Sequence, residues 1–338
     1  MRSFFHEKQL LHTPKTYLSR GQMRTPEEVP QRALELLGAL EQMGMSVESP
    51  TDHGHAPLLQ VHSLGYLRFL ESAYRRWHAL PYDWGDEVIS NVFIRENNPL
   101  NSILAEAAYY LADGSCPIGE HTWTSAYWSA QTALSAAQAV VGGAPSAYAL
   151  TRPTAHHARR DAAGGFCYIN NCALAAEALL HKYRRVVILD PDMHHGQGIQ
   201  EIFYRRNDVF YISIHGDTRN FYPVVTGLDT ERGEGPGHGY NLNLPMPHGS
   251  KEEVFFDRLD TALAAIRIYQ PEAIVLALGF DMYKDDPQSK IAFPTSGFTQ
   301  LGAMVRDLAL PTVIVQEGGY CVEALGKNLT AYMNGFLQ

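Results

Sequence analysis

The sequence predicts an α/β fold: a central, mostly parallel β-sheet flanked by helices, with the site at the carboxyl ends of the strands. Three observations predict it. Six short apolar runs, largely β-branched or aromatic, read as strands buried on both faces. Helical patterns alternate with them, and such alternation implies a parallel sheet covered on both sides. Five of the six runs lead directly into segments carrying His, Asp or Tyr. The ligand crevice of an open parallel sheet lies beyond those strand ends.

The elements follow in chain order. Val29, Ala33, Leu36, Leu37, Leu40 and Met43 form the apolar stripe of a helix over residues 29–43. Residues 123–141, rich in alanine and other small residues, predict a buried helix stopped by Gly142-Gly143. The first predicted strand is 147–150, and a helix begins near Asn171. Strands at 186–189, 209–214 and 240–244 come next. Residues 251–269 form a helix with Val254, Phe255, Leu259, Leu263 and Ile266 on one face. Strands at 273–278 and 312–316 complete the pattern. The 338 residues contain no repeat, low-complexity tract or Pro/Gly/Ser linker, so residues 1–338 read as a single domain.

Composition narrows the function. A formal charge of −9 argues against a nucleic-acid partner, which requires a basic surface. No apolar stretch approaches the ~20 residues of a membrane span, and no signal-peptide pattern opens the chain. A cytoplasmic protein without a membrane partner is expected. Cys116, Cys167, Cys172 and Cys321 form no Cys-x-x-Cys pair and no disulfide framework.

The chemistry sits at the strand ends. Asp190-x-Asp192-x-His194 follows the strand at 186–189. Alternate side chains of an extended segment point the same way, so Asp192 and His194 can face one point. Asp281, after the strand at 273–278 and Gly279, is the natural third ligand. Three protein ligands leave a catalytic zinc its open position. His156-His157, beyond the strand at 147–150, supplies a general base and an electrostatic partner. Gly164-Gly165 follows and lets backbone approach a ligand. Glu317-Gly318-Gly319-Tyr320 ends the last strand and presents a phenol that can hold an oxyanion. Cys167 is the other nucleophile to consider, but Phe166 and Tyr168 beside it point to a buried, inert thiol.

These segments resemble the histone deacetylase and acetylpolyamine amidohydrolase family, within the arginase–deacetylase fold. Arg152-Pro153, His156-His157-Ala158, Gly165-Phe166-Cys167-Tyr168-x-Asn170-Asn171, Asp190-x-Asp192-x-His194-His195-Gly196, Ser213-Ile214-His215-Gly216-Asp217 and Glu317-Gly318-Gly319-Tyr320 occur in family order. The N-terminal Phe4-Phe5-His6, Pro30-x-Arg32 and Val61-His62-x-x-x-Tyr66 are most similar to the bacterial acetylpolyamine branch.

The resemblance implies one catalytic zinc on Asp192, His194 and Asp281. His157 would be the base and then the acid, with His156 its electrostatic partner oriented by Asp190. Tyr320 would bind the carbonyl oxygen, and Gly165, Phe166 and Tyr222 would line a narrow tunnel. It also implies one or two structural potassium ions. The first would use Asp190, Ser213 and the backbones of Asp192, His194 and Ile214. The second would use carbonyls of Phe203, Arg206, Val209 and Tyr240.

This chain departs from the family pattern at three residues. Thr154-Ala155 replaces the usual Pro-Gly before the histidine pair, and Gln197 stands where the family places Asp or Asn. Residues 82–122 would form an inserted loop that shapes the tunnel and pairs subunits in a homodimer. Glu106 in that loop, with Asp113 beside it, is the candidate contact for a cationic tail. The expected substrate is a small N-acetylated amine such as an acetylpolyamine. The alternatives are acetyl-lysine in proteins and a non-catalytic metal-binding relative.

Overall fold

Eight strands form one sheet in this computed structural model, which describes residues 1–94 and 99–338, and every neighbouring pair is parallel. In chain order they are β1 (Arg2–Phe4), β2 (Val47–Glu48), β3 (Ser146–Ala149), β4 (Val186–Asp190), β5 (Val209–Gly216), β6 (Asn241–Met246), β7 (Ala273–Leu278) and β8 (Thr312–Gln316). Across the sheet the order is β2-β1-β3-β8-β7-β4-β5-β6. The six predicted strands are all present, two with the expected ends and the others shifted by a residue or two. Strands β1 and β2 were not foreseen, because three and two residues are too few to show a period.

The central strands are largely apolar because both faces are covered. Along β4, Val186 and Ile188 join one core, whereas Val187 and Leu189 join the other. The first core packs beneath helices Thr122–Val141 and Asn171–Leu180, whose small side chains let them lie close to the sheet. The second packs beneath helices Pro30–Gln42, Glu252–Tyr269, Thr295–Arg306 and Val322–Leu337.

Sheet order explains the site. Strands β3, β8, β7, β4 and β5 are five contiguous central strands. They are the five whose ends carry the candidate residues. Adjacent strands lie about 4.8 Å apart, so residues leaving neighbouring ends start within reach of one another. The 82–122 segment contains helix Ile103–Tyr110 and a bridge between Val88 and Ile118. Its residues 95–98 lie outside the described residues. Among the described residues, no helix is long and apolar enough to cross a membrane.

Candidate active site

Asp192 and His194 leave β4, and Asp281 leaves its neighbour β7. One donor atom from each of the three lies within 4.8 Å of the others, and all three residues are buried. His194 Nδ1 is 2.8 Å from Asp281 Oδ2 and 3.4 Å from Asp192 Oδ1. Backbone amides hold the carboxylates: His194 N donates to Asp192 Oδ1, Gly318 N to Asp192 Oδ2, and Met193 N to Asp281 Oδ1. Gly279 and Gly318 make room for this. A Cβ at either would stand 2.2 Å or 2.7 Å from Asp192 Oδ2.

Two buried carboxylates beside one imidazole are costly unless a cation neutralises them. Burial and Asp192 push the Asp281 carboxyl up to about 7. Burial opposes a charge on His194, but Asp192 and Asp281 outweigh it and raise the imidazole to about 9. The trio therefore competes for protons as it would for a divalent metal. A donor set of one nitrogen and two oxygens suits zinc.

His156 and His157 stand beside the trio, their ring centroids 3.9 Å apart. His156 Nδ1 lies 3.1 Å from Asp190 Oδ2, which also accepts from the Tyr211 hydroxyl at 2.8 Å. His156 Nε2 is 3.6 Å from Asp192 Oδ1. Burial works against its charged form, but Asp192 and Asp190 prevail and raise it to about 10. His157 is the opposite case. Burial, reinforced by His156 and His194, holds it well below the usual imidazole range. Its Nδ1 meets Gln197 Oε1 at 2.6 Å. Two adjacent imidazoles with divergent pKa values can serve as a cation and a neutral base.

The turn bearing this pair does not need the missing glycine. Neither Thr154 nor Ala155 has a positive φ. Instead the buried Glu317 carboxylate accepts from Ala155 N at 2.7 Å and His156 N at 3.2 Å. Arg32, buried in helix Pro30–Gln42, then fixes the Glu317–Tyr320 turn. Its guanidinium donates to the carbonyls of Glu317 and Gly319 and lies 5.0 Å from the Tyr320 ring. Glu28 pairs with both Arg32 and Arg152 at 2.9 Å, and Arg152 donates to the carbonyls of Gln9 and His12. No role for Glu317, Arg32 or Glu28 was expected from the sequence. A signal existed for Arg32, which lies beside Ala33 and one turn before Leu36, on the apolar stripe.

The walls close over this floor. Gly165 packs against the His157 ring, where a Cβ would come within 2.3 Å. Phe166 follows in the left-handed region at φ 68°, a strained turn that puts its ring 5.8 Å from Tyr320. Tyr222 faces His157 at 4.9 Å, and Phe221 stacks on His194 at 4.9 Å. Burial pushes the Tyr320 phenol well up, so it keeps its proton as a donor. Cys167 is buried and likewise shifted well up, which leaves an inert thiol.

Ser213 pairs in register with Asp190 across β4 and β5, and Ile214 is next to it. Phe203, Arg206, Val209 and Tyr240 gather at the opposite, amino end of β5 and β6. Glu106 does not suit the role expected of it. Both of its oxygens are gripped at 2.6 Å by Arg76 of helix Leu64–Trp77, which neutralises the charge a substrate ammonium would need. Asp113 is the carboxylate of this loop that reaches the site, accepting from the Tyr222 hydroxyl at 2.7 Å and Gly165 N at 3.2 Å.

A parallel α/β sheet with two carboxylates, three imidazoles and a phenol converging on one rim is the frame of a hydrolase of linear amide bonds, a deacetylase. Residues 26–336 match the histone deacetylase domain. The chain is 61% identical over 336 residues to the acetylpolyamine amidohydrolase of Burkholderia pseudomallei, covering 99% of this chain and 98% of that one. It is 41% identical over 343 residues to acetylpolyamine amidohydrolase 1 of Pseudomonas aeruginosa, covering 99% of each. A crystal structure of the Burkholderia pseudomallei acetylpolyamine aminohydrolase matches with a TM-score of 0.98 at 61% identity, covering 99% of this chain and 98% of that one. The chain belongs to the histone deacetylase family, among its acetylpolyamine amidohydrolases, and hydrolyses acetyl amide bonds.

Proposed function

We propose that this enzyme removes acetyl groups from N-acetylated polyamines or similar small cationic amines, using one zinc ion held by Asp192, His194 and Asp281. The observation that carries the reading is the buried trio of Asp192, His194 and Asp281 beside the paired imidazoles of His156 and His157. Zinc bound there would supply a Lewis acid that polarises the amide carbonyl and acidifies water. His157, with Nδ1 engaged by Gln197, offers Nε2 to take a proton from the attacking water and returns it to the leaving amine. His156, held by Asp190, is the electrostatic partner for negative charge developing on the carbonyl oxygen. Tyr320 donates its phenolic proton to that oxygen, and Phe166 and Tyr222 hold the acyl-amine chain extended.

Potassium would occupy the oxygen-rich positions around Asp190 and Ser213, and the carbonyls of Phe203, Arg206, Val209 and Tyr240. The 82–122 segment exposes Tyr82, Trp84, Val92 and Phe93, which supports a homodimer contact there. We place the enzyme in the cytoplasm.

The test is turnover of the zinc-loaded enzyme on an acetylated diamine, an acetylated triamine, an acetyl-lysine peptide and a neutral N-alkylacetamide of equal length. The acetylated polyamines should give the highest kcat/KM. A preference for the peptide would replace this reading with a protein deacetylase, and no turnover on any substrate would leave only a metal-binding relative.

A further inference from the structure

The mechanism above needs one tautomer of His157, with the proton on Nδ1 and the lone pair of Nε2 free for water. The group facing Nδ1 is the amide of Gln197. An amide has one accepting and one donating end. A half-turn about its last bond would set Nε2 against His157. The ring proton would then move to the nitrogen that must act as the base. A carboxylate at this position would accept with either oxygen, but glutamine has to be oriented.

A chain of hydrogen bonds supplies the orientation. Gln197 Nε2 donates to the Tyr222 hydroxyl oxygen at 3.2 Å. Tyr222 donates its own proton to Asp113 Oδ2 at 2.7 Å. Burial, with Asp113 beside it, pushes the Tyr222 phenol well up, so the proton stays on it. A carboxylate only accepts. Asp113 is held in place from both sides: Gly165 N donates to Oδ2, and Ser115 donates to Oδ1 through its amide and its hydroxyl. With its proton committed to Asp113, Tyr222 offers Gln197 only lone pairs. Gln197 must turn its NH2 toward Tyr222 and its oxygen toward His157. Close packing at Gly165, where a Cβ would come 2.3 Å from the His157 ring and 2.8 Å from the Tyr222 oxygen, keeps the two rings in register.

We propose that Asp113, acting through Tyr222, sets the orientation of Gln197 and thereby the tautomer of His157. Asp113 is thus a positioning residue for the base, and the proposal rests on the reading of His157 as that base. The test is steady-state turnover of the zinc-loaded enzyme on an acetylated diamine, for the parent, Asp113→Asn, Gln197→Glu and the double variant. An asparagine can donate to Tyr222, which frees the phenolic proton toward Gln197 and makes both amide orientations acceptable. Asp113→Asn should lower kcat about three- to tenfold while KM changes less than about twofold. In the Gln197→Glu background the same change should cost less than about twofold in kcat, because both carboxylate oxygens accept. An unchanged kcat in Asp113→Asn, a loss confined to KM, or an equal loss in both backgrounds would overturn the proposal.

Nitrogen NMR of the His157 ring, assigned by its absence in His157→Ala, gives a readout that does not depend on the Gln197 variant. A single Nδ1–H tautomer in the parent and a mixture in Asp113→Asn is expected; one tautomer in both would overturn the relay. Turnover that survives His157→Ala would overturn the underlying assignment of the base as well, which separates that failure from a failure of the relay alone.

Discussion

Gly279 lies between the end of β7 and Asp281, and replacing it with alanine should sharply weaken metal binding without unfolding the chain. A Cβ there would stand 2.2 Å from Asp192 Oδ2 and 2.7 Å from its Cγ. Gly279 has no positive φ, so its requirement is for space and not for conformation. Asp192 is not free to step aside, because amides of Gly318 and His194 hold its two oxygens at 3.0 and 2.9 Å. Restoring ordinary van der Waals separation needs a retreat of about 1 Å. Metal–ligand distances tolerate only about 0.2 Å. Overpacking of this kind costs about 1–3 kcal/mol, against a total stability of about 5–15 kcal/mol. The zinc Kd should rise at least ~100-fold, equivalent to about 2.7 kcal/mol. The assays are chelator competition for the affinity and circular dichroism melting for the metal-free fold. Zinc affinity within about threefold of the parent, with the fold intact, would refute the steric reasoning.

Three further predictions concern the surroundings of the site. Zinc binding at pH 7 should release protons, since His194 and Asp281 hold theirs up to about 9 and about 7 in the metal-free chain and must shed them to ligate. Affinity should therefore rise with pH until about 9, and calorimetry in buffers of different ionisation enthalpy showing no proton release would contradict this. Glu317→Ala should destabilise the fold by about 2–6 kcal/mol, because the buried amides of Ala155 and His156 lose their acceptor. Urea denaturation of the metal-free chain measures that change, and a value below about 1 kcal/mol would argue against it. Glu106→Gln should alter kcat/KM equally for an acetylated diamine and a neutral acetamide, given its pairing with Arg76. A loss confined to the cationic substrate would restore Glu106 as a contact for the tail.

The sheet and the floor of the site were legible because they rest on short-range pattern. Runs such as Ala273–Leu278 and Val186–Asp190 are apolar at every position or nearly so, as only strands covered on both faces are, and the polar residues at their ends had one place to go. Sheet order was not legible, since nothing in the runs themselves says that β8 and β7 lie between β3 and β4. Buried charges were missed for a related reason. Arg32 and Glu28 were given no role from the sequence, and only tertiary contact shows them locked to Arg152 and the Glu317–Tyr320 turn. Glu106 and Asp113 sit seven residues apart, one in helix Ile103–Tyr110 and the other just beyond it. Composition could not decide which faced Arg76 and which faced Tyr222, because that choice depends on how helix Ile103–Tyr110 packs.

The proposed hydrolysis depends most on His157 acting as the base beside an intact metal site. The decisive measurement is kcat of zinc-loaded His157→Ala on an acetylated diamine, with the zinc content of the same sample determined. Zinc should remain at one per chain, since His157 is not among the three ligands, while kcat falls by about 10²–10⁴-fold. Turnover close to the parent's at full zinc occupancy would contradict the account and transfer the base to another group.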